Sequence, residues 1–191
     1  MISNKYYTFE TRYNFSDMKG LGPSDFLESL VQKYYNYIPK SEKVRLYDVM
    51  ITPTLALNVK TMRLPLSSKS GPHGRLGSAD VILNWIENPN HQLEYMFVYY
   101  KRDGEWLTLI DTEVHPIESL EFTISPQGKG LVQPKRRNDR VALGPTLSRE
   151  EYVNTFVTEL RTYCKKQIKN NEKQLERLER FNTNLIGALG I

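Results

Sequence analysis

The segment after Ser148 constrains this chain more than any other. Ser148-Arg149-Glu150-Glu151 is a capping box, in which Ser148 caps and Glu151 reaches back. A four-three spacing then runs through Val153, Val157, Leu160, Cys164, Gln167, Asn171, Gln174, Leu178, Phe181 and Leu185. Tyr152, Phe156 and Tyr163 widen the first stretch into a stripe suited to docking on a sheet. The seam turns polar within KKQIKNNEKQ and apolar again after it. A helix from about 149 to 186 is roughly 55 Å long at about 1.5 Å per residue, longer than a domain body of this size. Either it ends near Asn170-Asn171 and both halves pack on the body, or its second half projects and meets another chain. The projecting reading makes Leu175, Leu178, Phe181 and Leu185 a partner surface, with the polar seam residues fixing register.

The preceding residues read as α+β. Residues 5–16 alternate, with Tyr7, Phe9, Tyr13 and Phe15 on one face, as a half-buried strand does. Residues 24–37 carry Phe26, Leu27, Leu30, Val31, Tyr34 and Tyr35 at helical spacing, with Ser24 as the cap and Pro39 as the stop. Strands are expected at 43–51, 54–62, 79–86 and 119–124, and a hairpin at 92–113 turning on Asp103-Gly104 as a type I′ turn. That turn sets Arg102 opposite Glu105. Residues 126–146, rich in Gly, Pro and basic residues, read as a loop or extended arm. The sum is an antiparallel-rich sheet of about six or seven strands with one packed helix, a basic arm and a long terminal helix. Without a βαβ alternation, a doubly wound parallel sheet is not expected. The division is a domain over 1–146 and the terminal helix over 147–191.

Charge is concentrated. The formal net charge is +4, and residues 127–140 hold Lys129, Lys135, Arg136, Arg137 and Arg140 against Asp139 alone. Such a segment suits an anionic partner, nucleic acid or an acidic protein subunit. The lone Cys164 leaves neither an internal disulfide nor a cysteine zinc site, and reads as a small buried hydrophobe. MISNKYYTFE has no apolar run, so no signal peptide is expected; neither is a membrane span. A cytoplasmic or virion setting follows.

Site chemistry is sparse. Gly71, Gly74 and Gly77 punctuate the loop 67–78 without matching a P-loop or a dinucleotide loop. His73, His91 and His115 have no ligand spacing. Asp80, Glu94, Asp111 and Glu113 fall on or near expected strands, where carboxylates bind magnesium for phosphodiester chemistry. One nuclease pattern sets an Asp and then a Glu-x-Lys on the next strand. Read at Asp80 and Lys101, it lacks its Glu, because Val98-Tyr99-Tyr100 precede the lysine. No cofactor, metal or catalytic residue is assigned. The first expectation is a non-enzymatic assembly protein acting through other protein subunits, in a homo-oligomer or a larger complex such as a virion or phage particle. The alternative is a nucleic-acid-binding protein or metal-dependent nuclease using the segment 127–140.

Overall fold

The computed structural model describes residues 1–37, 46–64, 75–125 and 130–189, except for the side chains of Phe15 and residues 182–189. In chain order the body contains β1 (Ile2–Ser3), β2 (Thr8–Phe9), β3 (Arg12–Asn14), α1 (Pro23–Tyr34), β4 (Val49–Thr52) and β5 (Leu55–Arg63). It continues with β6 (Gly77–Ser78), α2 (Ala79–Ile86), β7 (Gln92–Asp103), β8 (Trp106–Pro116), β9 (Phe122–Ser125) and β10 (Leu131–Pro134). The short strands β11 (Arg136–Arg137) and β12 (Arg140–Val141) precede α3 (Arg149–Leu189).

The fold is mixed α+β around a five-stranded sheet in the order β3-β8-β7-β5-β4. It is less antiparallel than the sequence pattern implies, because β5 and β7 pair in parallel from Leu55↔Gln92 to Arg63↔Tyr100. Parallel neighbours need a crossover, and α2 lies on it. Residues 79–86, expected as a strand, are therefore a helix. Ala79, Ile82 and Ile86 take its buried face, a three-four spacing that the β-branched run masks. A second, three-stranded sheet in the order β6-β10-β9 uses residues expected to form an arm.

Alternation along β5 and β7 splits the core in two. Leu57, Val59, Met96 and Val98 face α1, whose Phe26, Leu27 and Val31 are buried against them. Ala56, Met62, Tyr95, Phe97 and Tyr99 face α2, β9, β10 and the start of α3. Pro23 occupies the first turn of α1 after Gly22, and Ser24 does not cap; its hydroxyl meets that of Thr61 at 2.5 Å. Proline fits there because the first helical N–H needs no intrahelical partner.

The β7–β8 turn is Gly104-Glu105, one residue later than expected. Of its two central residues only Gly104 has a positive φ, at 56°, the pattern of a type II′ turn. Arg102 consequently pairs with Leu107, not with Glu105. The β11–β12 turn is Asn138-Asp139, with φ of 49° and 60°, residue types that tolerate the left-handed region at both positions of a type I′ turn.

The capping box opens α3 as expected: Glu151 Oε2 accepts from the Ser148 N–H at 2.8 Å, and Ser148 Oγ accepts from the Glu151 N–H at 3.3 Å. The helix docks through Tyr152 and Phe156, both fully buried against Phe122. Val153 and Leu160 are half-buried, and Tyr163 covers Gly130. Cys164 is exposed, against the expectation of burial, because it lies on the side of α3 turned away from the body, while its neighbours Tyr163 and Gln167 are half-buried. The backbone is helical through Asn170-Asn171 without interruption.

Candidate functional site

The described residues most unlike an ordinary core lie where β4 parts from β5. Asp48 sits just before β4 and is 5% exposed, while Asn58 on β5 is 2% exposed. A buried carboxylate persists only with partners, and Asp48 has them in the adjacent backbone. Its N–H donates to the Leu57 carbonyl at 2.9 Å, and its Oδ2 accepts the Val59 N–H at 2.6 Å. These two bonds bracket residue 58 and fix Asp48 beside Asn58.

Asn58 Nδ2 donates to the Leu46 carbonyl. That bond orients the amide and leaves Oδ1 buried with no hydrogen-bond partner. Such an oxygen costs about 1–3 kcal/mol.

Lys60 follows two residues later, on the same face as Asn58 by strand alternation. Burial pulls its ammonium below the ordinary lysine range, while Asp48 and Glu28 pull it back up. Both acids therefore act on one amine. Gln32 on α1 donates from Nε2 to Glu28 Oε1 at 2.8 Å and to the Asp48 carbonyl at 3.3 Å. The buried stripe of α1 faces Leu57 and Val59, and this packing sets Glu28 and Gln32 at the β4 edge.

Among the described residues, no three His, Cys, Asp or Glu side chains gather as metal ligands. The donor set at Asp48 is instead mixed: a carboxylate and an amide oxygen. Hard divalent cations accept carboxylate and amide oxygens together. A perturbed lysine beside two acids is the arrangement that marks sites of proton transfer and anion binding.

The sequence candidates fall elsewhere. Asp80 lies in α2 and Lys101 on β7, so the Asp80–Lys101 pairing does not exist as a strand pair. Glu94 is taken by Lys5 at 2.7 Å and by the Tyr6 hydroxyl at 2.6 Å. His91 stacks on Trp85 with ring centroids 4.1 Å apart. Asp111 and Glu113 bind Arg140 at 3.0 and 3.2 Å, and His115 meets Glu113 at 3.3 Å. His73 and the loop from 67 to 74 lie outside the described residues.

The basic segment is largely folded back. Lys135 and Arg137 approach Glu121 at 3.9 and 3.5 Å, and Arg136 lies half-buried on β11. Arg140 spans Asp111 and Glu113 with its guanidinium 4.1 Å from the Tyr99 ring. Lys129 lies outside the described residues. Of the partner-surface residues, Leu175, Leu178 and Phe181 are 60, 63 and 66% exposed. Leu185 is in α3, its side chain outside the described residues.

A different basic group shares a sheet face with Lys60. Arg12, Thr108 and Lys101 form one cross-strand row at the far end of the sheet. The Arg12 guanidinium lies 4.5 Å from the ring of Trp106, which is 39% exposed.

The sequence reading missed Asp48, Asn58 and Lys60. The signal was the spacing Asn58-Val59-Lys60 behind Asp48, and a search for an acid two residues before a lysine passes over an asparagine.

No protein-family model matches this chain, and no curated protein matches it. Among solved structures it is similar to the NlaIV restriction endonuclease, with a TM-score of 0.44 and 9% identity over 76% of this chain and 74% of that one. A likeness of that size assigns neither fold family nor activity.

Proposed function

We propose that this protein is a divalent-cation-dependent phosphodiesterase acting on nucleic acid, with Asp48, Asn58 and Lys60 as its site. The observation that carries this reading is the Asp48–Asn58–Lys60 cluster, an acid clamped beside an orphaned buried amide oxygen and a desolvated lysine on the same face. It is the spatial form of an Asp followed by acid-x-Lys on the next strand, with an amide in the acid's place.

Asp48 and Asn58 Oδ1 would hold the cation. When bound, such an ion polarises a phosphoryl oxygen and lowers the pKa of a coordinated water. Lys60 offers N–H donors to an anionic phosphoryl oxygen. The Arg12, Lys101 and Trp106 group supplies cations and an aromatic face, the pairing that grips a nucleic-acid strand.

The test is cleavage of plasmid and single-stranded DNA, and of RNA, with Mg²⁺ or Mn²⁺, by wild type, Lys60→Ala and Asp48→Asn. The expected result is cation-dependent cleavage reduced at least about 100-fold in both variants, the scale of losing a transition-state contact, with circular dichroism unchanged. A wild type inert on all three substrates, or variants as active as wild type, would sink it.

A second reading is favoured by α3. Ile168, Leu175, Leu178 and Phe181 are each more than half exposed on a helix that has left the body. Exposed apolar stripes of this kind mark contact surfaces, and this one supports an assembly role with other protein subunits. The two readings concern separate surfaces and are compatible.

A further inference from the structure

We propose that α3 beyond Tyr163 pairs in parallel with the same segment of a second copy of this chain. The inference rests on the assembly reading above and names its partner. The seam differs in phase from the one expected through Gln167 and Gln174. Cys164, Ile168, Asn171, Leu175 and Leu178 alternate four and three residues apart, and every one of them is exposed. The alternation continues in sequence at Asn182, Leu185 and Leu189. A four-three seam interlocks only with a helix of the same period. The other helices of the described residues, α1 and α2, are 12 and 8 residues long and bury their apolar faces on the sheets.

Residues at the edges of the seam choose the orientation. In a parallel pair Gln167 faces Glu172 of the second copy, and Gln174 faces Glu179. Both are amide–carboxylate pairs with no like charges opposed. Reversing one helix brings Glu172 beside Glu179 of the other copy, a repulsive pair. Asn171 sets the register. In the parallel, unshifted pair its amide meets the amide of the other Asn171, and the two hydrogen-bond. A slip of one heptad sets that amide against Leu178, where it has no partner.

Cys164 is the sole cysteine and stands in the seam, so it reports the geometry directly. Sedimentation equilibrium of the full chain should give twice 22.3 kDa at micromolar concentration. Oxidation with diamide should join two chains through Cys164 as a disulfide, the two thiol hydrogens reducing one diamide. Leu175→Asp with Leu178→Asp, both at exposed positions, should give a monomer that resists cross-linking and keeps the wild-type circular dichroism. A wild type that is monomeric at 100 μM overturns the second copy as occupant. A dimer that never cross-links through Cys164 overturns the parallel register. A monomer whose Leu175 cross-links in cells to a different protein also overturns this inference, while leaving the assembly reading standing.

Discussion

Asp48 accepts the Val59 N–H at 2.6 Å, which ties the acid to the residue immediately before Lys60. The spacing between carboxylate and lysine is therefore set by backbone and by β5 itself, and not by two flexible side chains finding each other. A site positioned this way keeps its geometry when surface charges change.

Lys60 makes the fold pH-dependent in a definite direction. Its pKa is lowered by burial, so the unfolded chain binds its proton more readily. The destabilisation is fully present below the folded-state pKa and disappears as pH rises toward the ordinary lysine value of about 10.4. Lys60→Met should therefore raise the urea midpoint at pH 7, with the gain shrinking toward pH 10. A variant less stable than wild type across that range would mean that attraction to Asp48 and Glu28 outweighs burial.

Arg140 fastens the β11–β12 hairpin to the sheet through Asp111, Glu113 and the Tyr99 ring. The Tyr99 hydroxyl donates to Glu113 at 3.2 Å and accepts from the Val141 N–H at 3.2 Å, and burial pushes its pKa up to about 12. The His115 hydrogen bond and then the Arg140 charge hold Glu113 below the ordinary glutamate range. Partly exposed pairs are each worth about 0.2–1 kcal/mol and the ring contact about 0.5–1 kcal/mol. Arg140→Ala should thus cost about 1–3 kcal/mol at pH 7. Because the Glu113 pKa is depressed, its contribution holds above about pH 4.3 and fades as pH falls further. Urea melts at pH 7 and pH 3 should show the Arg140→Ala penalty in the first and much less of it in the second.

The two ends of α3 should respond oppositely to truncation. Phe156 is fully buried against Phe122 and Tyr152, and Phe156→Ala should cost about 3–5 kcal/mol. Leu175 is 60% exposed, and Leu175→Ala should stay within about 0.5 kcal/mol under monomeric conditions. Thermal melts of the two variants at low protein concentration separate these outcomes. A large loss at Leu175 would place the distal helix against the body.

Much of the frame was legible in residues. The capping box fixed the start of α3, and the helical spacing over 24–37 picked out Phe26, Leu27 and Val31, the buried face of α1. The misreadings have physical causes. ADVILNWI is a β-branched run whose helical face appears only once β5 and β7 need a crossover. The 126–146 segment looked open because the pairing of β10 with β6 is non-local, and because Asn138-Asp139 forms a turn without glycine. The cluster at Asp48 stayed hidden for a similar reason. Its members are divided between β5 and the residue just before β4, and the residue in the diagnostic place is an amide. The orphaned Oδ1 that makes Asn58 noticeable is a property of packing, which no spacing records.

The uninterrupted backbone of α3 turns residue count into a phase. Each added residue advances the distal stripe by about 1.5 Å and about 100°. Seven residues inserted between Tyr163 and Cys164 would move the stripe outward by about 10 Å with nearly the same facing, whereas two would swing it to the opposite side. The orientation of whatever is carried at the tip, relative to the body and its Asp48 cluster, is therefore written in the number of residues between Phe156 and Ile168 and not in their chemistry.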